Sequence, residues 1–258
     1  MEELIDLHYG IKVKSISPVV TGVGGQTYRL ELENEKYILK GVPVNDKHVG
    51  NEPDLATFLR ERGFPVAEYI RNKAGEYFWR EAETIYHMQR YVEGKILPFN
   101  EAPDWFMMES VETLGRIHSA LSDFRRLPVG MGEEFLTFMR SDYPENSYRR
   151  TMEKAKSLDD KEILKDVEYR LSQIKRLREI EFDLTKFTCS NTHGDYKISQ
   201  MICTNTRIAA IIDWTAACVH PVCWEIIRSY TYADPACKDG EIDADRFIKY
   251  VCKSISSI

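Results

Sequence analysis

No cysteine precedes Cys189 in this chain of 258 residues, and none of its six cysteines forms a Cys-x-x-Cys pair. That usage excludes a disulfide framework and reads as reduced core residues. Cys218, His220 and Cys223 bring three metal-ligating side chains close in sequence. No second ligand pair at zinc spacing accompanies them, so a core-and-turn reading is favoured. No apolar run approaches the roughly 20 residues of a membrane span. The acidic start Met1-Glu2-Glu3-Leu4-Ile5-Asp6 lacks the basic n-region of a secretory signal, so a cytoplasmic location is expected. The chain also lacks the basic excess of a nucleic-acid-binding surface: its net charge is −6. Such acidity suits a cationic small-molecule partner as well as an ordinary cytosolic protein. There is no internal repeat and no low-complexity linker. What remains, 43% hydrophobic and 29% charged, is a globular composition able to bury a core.

The first third reads as strands. Residues 12–20 alternate and end in a turn, and residues 27–33 and 36–41 flank Asn34-Glu35, a hairpin signal. A helix is expected over 51–62, closed by Gly63. Residues 68–72 and 76–81 suggest a second hairpin through Lys73-Ala74-Gly75, and 84–92 an apolar strand running into Glu93-Gly94. From Trp105 the period becomes helical. Residues 106–121 place Leu114, Ile117, His118 and Leu121 on one face. The charged segment 133–180 carries the stripe Leu164, Val167, Leu171, Ile174 and Leu177. A helix over 222–232 and another from about Asp243 complete the chain.

Two short stretches carry the chemistry. The first is Thr192-His193-Gly194-Asp195-Tyr196-Lys197-Ile198-Ser199-Gln200, and the second is Ala210-Ile211-Ile212-Asp213-Trp214. Two apolar-flanked aspartates, one on a loop and one at a strand end, are what phosphoryl transfer requires. One carboxylate orients an attacking hydroxyl, and the other holds a metal on nucleotide phosphates. Burying Asp213 after four apolar residues is costly unless it is paired or metal-bound. Upstream, Gly22-Val23-Gly24-Gly25-Gln26-Thr27 lies between two expected strands, where backbone without Cβ can approach phosphates. It is neither a Walker A loop nor a Rossmann turn, and a plain hairpin turn is the competing reading. Lys40 ends the strand Tyr37-Ile38-Leu39-Lys40, where it can reach phosphate oxygens or sit on an edge in solvent.

The order glycine loop, strand lysine, His-Gly-Asp, Ile-Asp resembles the aminoglycoside phosphotransferase and choline kinase family of small-molecule kinases, from about Thr21 to Asp245. The resemblance implies an α+β, bilobal protein-kinase-like fold: an N-lobe over 1–93, with an antiparallel sheet and one main helix, and a helical C-lobe over 94–258. It implies ATP, with GTP an alternative, and Mg2+ in the cleft. Gly22, Gly24 and Gly25 would cover the phosphates, and Glu52 would pair with Lys40. In Met88-Gln89-Arg90-Tyr91-Val92-Glu93-Gly94, the hinge, the carbonyl of Gln89 and the N–H of Tyr91 would hold adenine. Asp195 would be the catalytic aspartate and Lys197 would stabilise the transferring phosphate. Gln200 and Asp213 would hold the metal. His118 reads as a packing histidine.

Two positions depart from the family's pattern. Gln200 stands where the family has a metal-binding asparagine, and Glu225 where it has an aspartate bracing the catalytic loop. Family members also continue through further helices, so the chain is either a short member or a truncated one. The acidic run Asp234, Asp239, Glu241, Asp243 and Asp245 offers a place for an amine- or choline-like cation, or is a solvated loop and helix start. Two functions follow: a kinase phosphorylating a hydroxyl of an aminoglycoside-, choline-, homoserine- or sugar-like molecule, or a kinase-like binding or structural protein of the spore-coat kind. A protein kinase fits less well, because Asp-Phe-Gly and an activation loop are missing.

Overall fold

The computed structural model describes residues 1–19, 26–44, 49–130, 142–181 and 183–256. The N-terminal sheet has six strands: β1 (Ser15–Pro18), β2 (Gln26–Glu31), β3 (Lys36–Pro43), β4 (Tyr69–Ile70), β5 (Phe78–Glu81) and β6 (Thr84–Arg90). They run in the order β1-β2-β3-β6-β4, with β5 also on β6, and every described pairing is antiparallel. One face packs on helix α1 (Glu2–Tyr9) through a core of Ile5, Leu30, Leu39, Trp79 and Met88. Gly10, in the left-handed region at φ 70°, ends that helix and returns its N–H to the Asp6 carbonyl. Helix α2 (Glu52–Glu61) buries Leu55, Ala56 and Leu59, and it joins the larger core.

The second expected hairpin is not formed as such. β4 and β5 do not pair with each other; both pair with the same edge of β6. Asn72 closes the turn between them by accepting the amides of Ala74 and Glu76 on Oδ1 (2.9 and 3.0 Å), an Asx turn that replaces a strand ladder. The actual hairpin is β5–β6, joined by Ala82-Glu83 with Ala82 at φ 49°. Two-residue hairpin loops need positive φ, and alanine gives no sequence signal for it.

The second lobe is built on α3 (Asp104–Leu121), whose buried residues Phe106, Val111, Leu114, Ile117 and Leu121 recur at helical spacing. Against it pack α6 (Val222–Ala233) and α7 (Ala244–Ser256). Helices α4 (Tyr143–Ser157) and α5 (Lys161–Arg178) form a hairpin, broken at Leu158–Asp160 and restarted where Asp160 accepts the Ile163 amide. The expected stripe on α5 is partly sealed, with Val167 and Ile174 fully buried. Two small sheets, β7 (Cys189–Thr192) with β10 (Cys218–Pro221) and β8 (Met201–Cys203) with β9 (Ile208–Ile211), carry the loops between them. The lobes are stitched where the Ile211 amide donates to the Pro65 carbonyl at 2.7 Å.

Gly115 lets α3 and α7 touch: a Cβ there would lie 2.3 Å from the Ser254 carbonyl oxygen. Gly115→Ala gains up to about 1 kcal/mol of helix propensity. Overpacking costs roughly 1–3 kcal/mol, so a net fall in melting temperature is expected. A thermal melt at or above wild type would mean that α7 is not seated on α3 as described.

Candidate active site

The site is a set of loops held by buried polar groups. β7 delivers His193-Gly194-Asp195 and β9 delivers Asp213. His193 ties the two loops together. Its Nε2 lies 3.0 Å from the Ile212 carbonyl, and its Nδ1 accepts the Asp195 amide at 3.3 Å, which fixes the neutral Nε2–H tautomer. Beneath them lies Glu225, fully buried on α6. It accepts the amides of His193 (3.2 Å) and Gly194 (2.6 Å) and bonds His118 Nε2 at 2.8 Å. Gly194 sits at φ 82°, and a Cβ there would lie 1.9 Å from the Ala216 oxygen, so only glycine lets the two loops meet.

Asp195 has three donors. Lys197 Nζ lies 2.8 Å from Oδ2, and the Gln200 amide donates to the same oxygen at 2.9 Å. Arg228 donates from Nε (3.0 Å) and Nη2 (2.5 Å) to Oδ1. Burial alone would raise the Asp195 pKa, but Lys197, Gln200 and Arg228 outweigh it and hold the carboxyl below its usual range. Asp213 is in the left-handed region at φ 63°, ψ 63°, a conformation costing a non-glycine residue of order 1–3 kcal/mol. Its Oδ1 takes Lys40 Nζ at 2.5 Å and Thr215 Oγ1 at 2.8 Å. These contacts overcome burial and keep it ionised below its usual range. Lys40 also lies 3.9 Å from Glu52, whose Oε1 accepts the Trp214 amide at 3.1 Å. Burial pushes the Glu52 pKa up, with Lys40 the largest opposing influence.

A family model for phosphotransferase enzymes matches residues 15–250. The chain belongs to that family. No curated protein matches it in sequence. Among solved structures it is similar to amicoumacin kinase hAmiN in complex with AMP-PNP, Ca2+ and Ami, at 11% identity and a TM-score of 0.67, over 99% of this chain and 75% of that one. Spectinomycin phosphotransferase APH(9)-Ia, in complex with ADP and spectinomycin, gives 16% identity and a TM-score of 0.63, over 99% and 84%. The GDP and kanamycin complex of APH(2")-IIIa gives 14% and 0.62, over 99% and 87%. At these identities the likeness is one of fold, and the bilobal kinase-like architecture is the one expected.

Lys40, Glu52 and Asp213 are brought together, as are Asp195, Lys197 and Gln200. Gly22, Gly24 and Gly25 lie outside the described residues. The expected hinge residues continue the ladder of β6. Tyr91 donates its N–H to the Lys36 carbonyl at 3.0 Å, and Gln89 stands opposite Ile38 two residues earlier in the same ladder. Hydrogen-bonded pairs alternate along an antiparallel ladder, so Gln89 and Tyr91 both face β3. Arg90 faces the other way, giving its N–H to the Glu68 carbonyl at 2.8 Å. The groups turned away from β3 are therefore the Arg90 carbonyl and the Val92 amide, one residue on from those expected. Gln200 likewise turns its amide nitrogen to Asp195. Arg228 carries no motif; its only sequence signal is being the one cation in α6.

The acidic run is put to structural use at two positions. Asp234 is buried and pairs with Arg246 at 2.9 and 3.1 Å, and Asp243 accepts the amides of Asp245 and Arg246 at the start of α7. Among the described residues no group of three or more His, Cys, Asp or Glu could hold a metal, and no helix is long and apolar enough to cross a membrane.

Glu225 generates a pH test. Burial opposes its ionisation, yet the bond to His118 holds its pKa below the ordinary 4.5. A depressed folded pKa gives stability that is complete above the unfolded value and lost as pH falls through the folded one. Glu225→Gln is expected to cost about 1–3 kcal/mol at neutral pH and to remove part of the wild-type acid slope below about pH 4.5. Denaturant midpoints from pH 7 to pH 3 check this. Parallel wild-type and variant curves would mean that Glu225 is not ionised in the fold.

Proposed function

We propose that the chain is a phosphotransferase that moves the γ-phosphoryl group of ATP, or GTP, to a hydroxyl of a small molecule. The observation that carries this is the reach of Lys40, from the N-terminal sheet, to Asp213, on the loop that His193 ties to Asp195. Phosphate-binding, metal-binding and hydroxyl-orienting groups thus converge on one cleft. The nucleotides named with the neighbouring structures, AMP-PNP, ADP and GDP, agree with this reading.

Asp195 accepts a hydrogen bond from the acceptor hydroxyl and turns its oxygen in line with the γ-phosphorus. A bond forms between that oxygen and phosphorus as the bond to the β,γ-bridging oxygen breaks. The hydroxyl proton leaves by way of Asp195, and the nucleoside diphosphate departs. A carboxylate held below its usual pKa is a weak base, so its part is chiefly orientation, in keeping with a loose transition state. Lys197 lies beside it to meet charge on the transferring phosphate, and Lys40, braced by Glu52, holds the other phosphates.

Asp213 fits a magnesium site. Only its Oδ1 is engaged among the described residues, and the side chain is 38% exposed. Magnesium is commonly held by one or two carboxylates, with phosphates and water completing the octahedron. Gln200 can add its amide oxygen while its nitrogen stays on Asp195. The metal's contribution, when bound, is to neutralise phosphate charge.

Asp195→Ala is expected to lower turnover by at least about a hundredfold and to leave nucleotide binding intact; unchanged turnover would remove Asp195 from its role. Thermal stabilisation by ATP and GTP, with and without magnesium, tests the reading as a whole. A metal-dependent shift that Asp213→Ala weakens is expected. Metal-independent binding would favour a kinase-like binding protein, and no shift at millimolar nucleotide would overturn the enzyme reading.

A further inference from the structure

The cleft around Asp195 carries more positive charge than orienting a hydroxyl demands. One carboxylate faces two cations, Lys197 and Arg228, all three partly open to solvent at 19–24% side-chain exposure. Arg228 uses Nε and Nη2 on Asp195, which leaves its Nη1 edge for a second acceptor. Both cations lie over the Tyr232 ring, at 5.0 Å for Arg228 and 5.8 Å for Lys197. Phe99, about half exposed, stands 5.2 Å from the same ring. Asn100, in the left-handed region, holds this wall in place: its side chain donates to the carbonyls of Thr231 and Asp234, and its amide to that of Tyr232.

A polycationic acceptor would meet repulsion here. Asp234 and Asp243, which the sequence offered to such a cation, are committed to Arg246 and to the start of α7. We propose that Arg228 and the Tyr232–Phe99 wall form an anion-reading acceptor subsite, and that the substrate is a hydroxyl compound bearing a carboxylate or phosphate close to the hydroxyl that is phosphorylated. The inference rests on the phosphotransferase reading. In that reaction Lys197 is engaged by the transferring phosphate, and Arg228 is the cation left to the acceptor. A bidentate-capable guanidinium suits either anion, and the aromatic wall covers the carbon body beside it.

Four three-carbon compounds that differ in charge provide the test: glycerate, glycerol 3-phosphate, glycerol and 3-amino-1,2-propanediol. Each is titrated in a thermal-shift assay with ADP and magnesium already saturating. Half-saturation is expected at least about tenfold lower for one or both anions than for glycerol or the amine. The order of glycerate and glycerol 3-phosphate then tells carboxylate from phosphate. Arg228→Gln is expected to erase the anion advantage, and Arg228→Lys to keep part of it. Were the glutamine variant not to fold, the wild-type ranking and the lysine variant would decide.

Three results would overturn the inference: equal or tighter binding of glycerol or the amine, no anion binding at tens of millimolar, or an anion preference untouched by Arg228→Gln. If Arg228 serves only to hold Asp195, the glutamine variant lowers kcat for every acceptor alike and leaves the charge ranking unchanged. The nucleotide shift, read before any acceptor is added, reports separately on the phosphotransferase reading.

Discussion

The geometry of the cleft depends on a buried carboxylate. Glu225 has no exposed surface, and every bond it makes is to the turn it supports or to α3. An uncompensated charge at that depth would cost several kcal/mol. Two loop amides and His118 compensate it, and in doing so they fix the path of the chain immediately before Asp195. The requirement then spreads outward. Gly194 must be glycine because the turn brings its α-carbon against Ala216. His193 must be neutral because it donates to Ile212 and accepts from Asp195. The family's aspartate would begin one methylene further from these amides. Glutamate reaches them from the first turn of α6, so the substitution is compatible with the same bracing role.

A second electrostatic knot joins the lobes. Lys40 stands between Asp213, which it touches, and Glu52, which it approaches. Asp213 pays for its place in a left-handed backbone conformation, and Thr215 and Lys40 offset that strain. Glu52 in turn holds the Trp214 amide, so helix α2 is bonded to the loop directly after Asp213. Movement of α2 would therefore be felt at Asp213 through Trp214 as well as through Lys40. The lysine, two acids and the Trp214 backbone amide make the position of the Asp213 carboxylate a property of both lobes.

Much of this was legible in the sequence, for physical reasons that also explain the rest. Helices α2, α3 and α6 follow from apolar spacing, and strands β2, β3 and β6 from apolar runs bounded by turn residues. The approach of Lys40 to Glu52 follows from motif order; the closer contacts of Lys40 with Asp213 and of Lys197 with Asp195 do not. Periodicity failed where side-chain bonds replace ladders: Asn72 turned an expected hairpin into two strands on a shared edge. At residues 89–92 register decides which backbone groups face outward, and a one-residue slip exchanges them. Nothing local in a sequence fixes that register; the Lys36–Tyr91 bond does. Arg228 escaped notice because its partner lies 33 residues away and no pattern of spacing announces it.

Gln200 shows how a departure from a family pattern can be absorbed. An asparagine at this position has one amide to offer over a short stem. With one more methylene, the glutamine amide lies alongside Asp195 and donates to Oδ2. An amide has two ends, and donation by nitrogen leaves the oxygen free to ligate a hard cation. The two roles are therefore compatible, and together they would couple metal occupancy to the orientation of the Asp195 carboxylate. The cost is geometric freedom: a longer stem has one more rotatable bond to fix. Arg228 and Lys197 reduce that cost by holding the carboxylate that the amide must find, so the added positive charge around Asp195 and the longer side chain at position 200 belong to one arrangement.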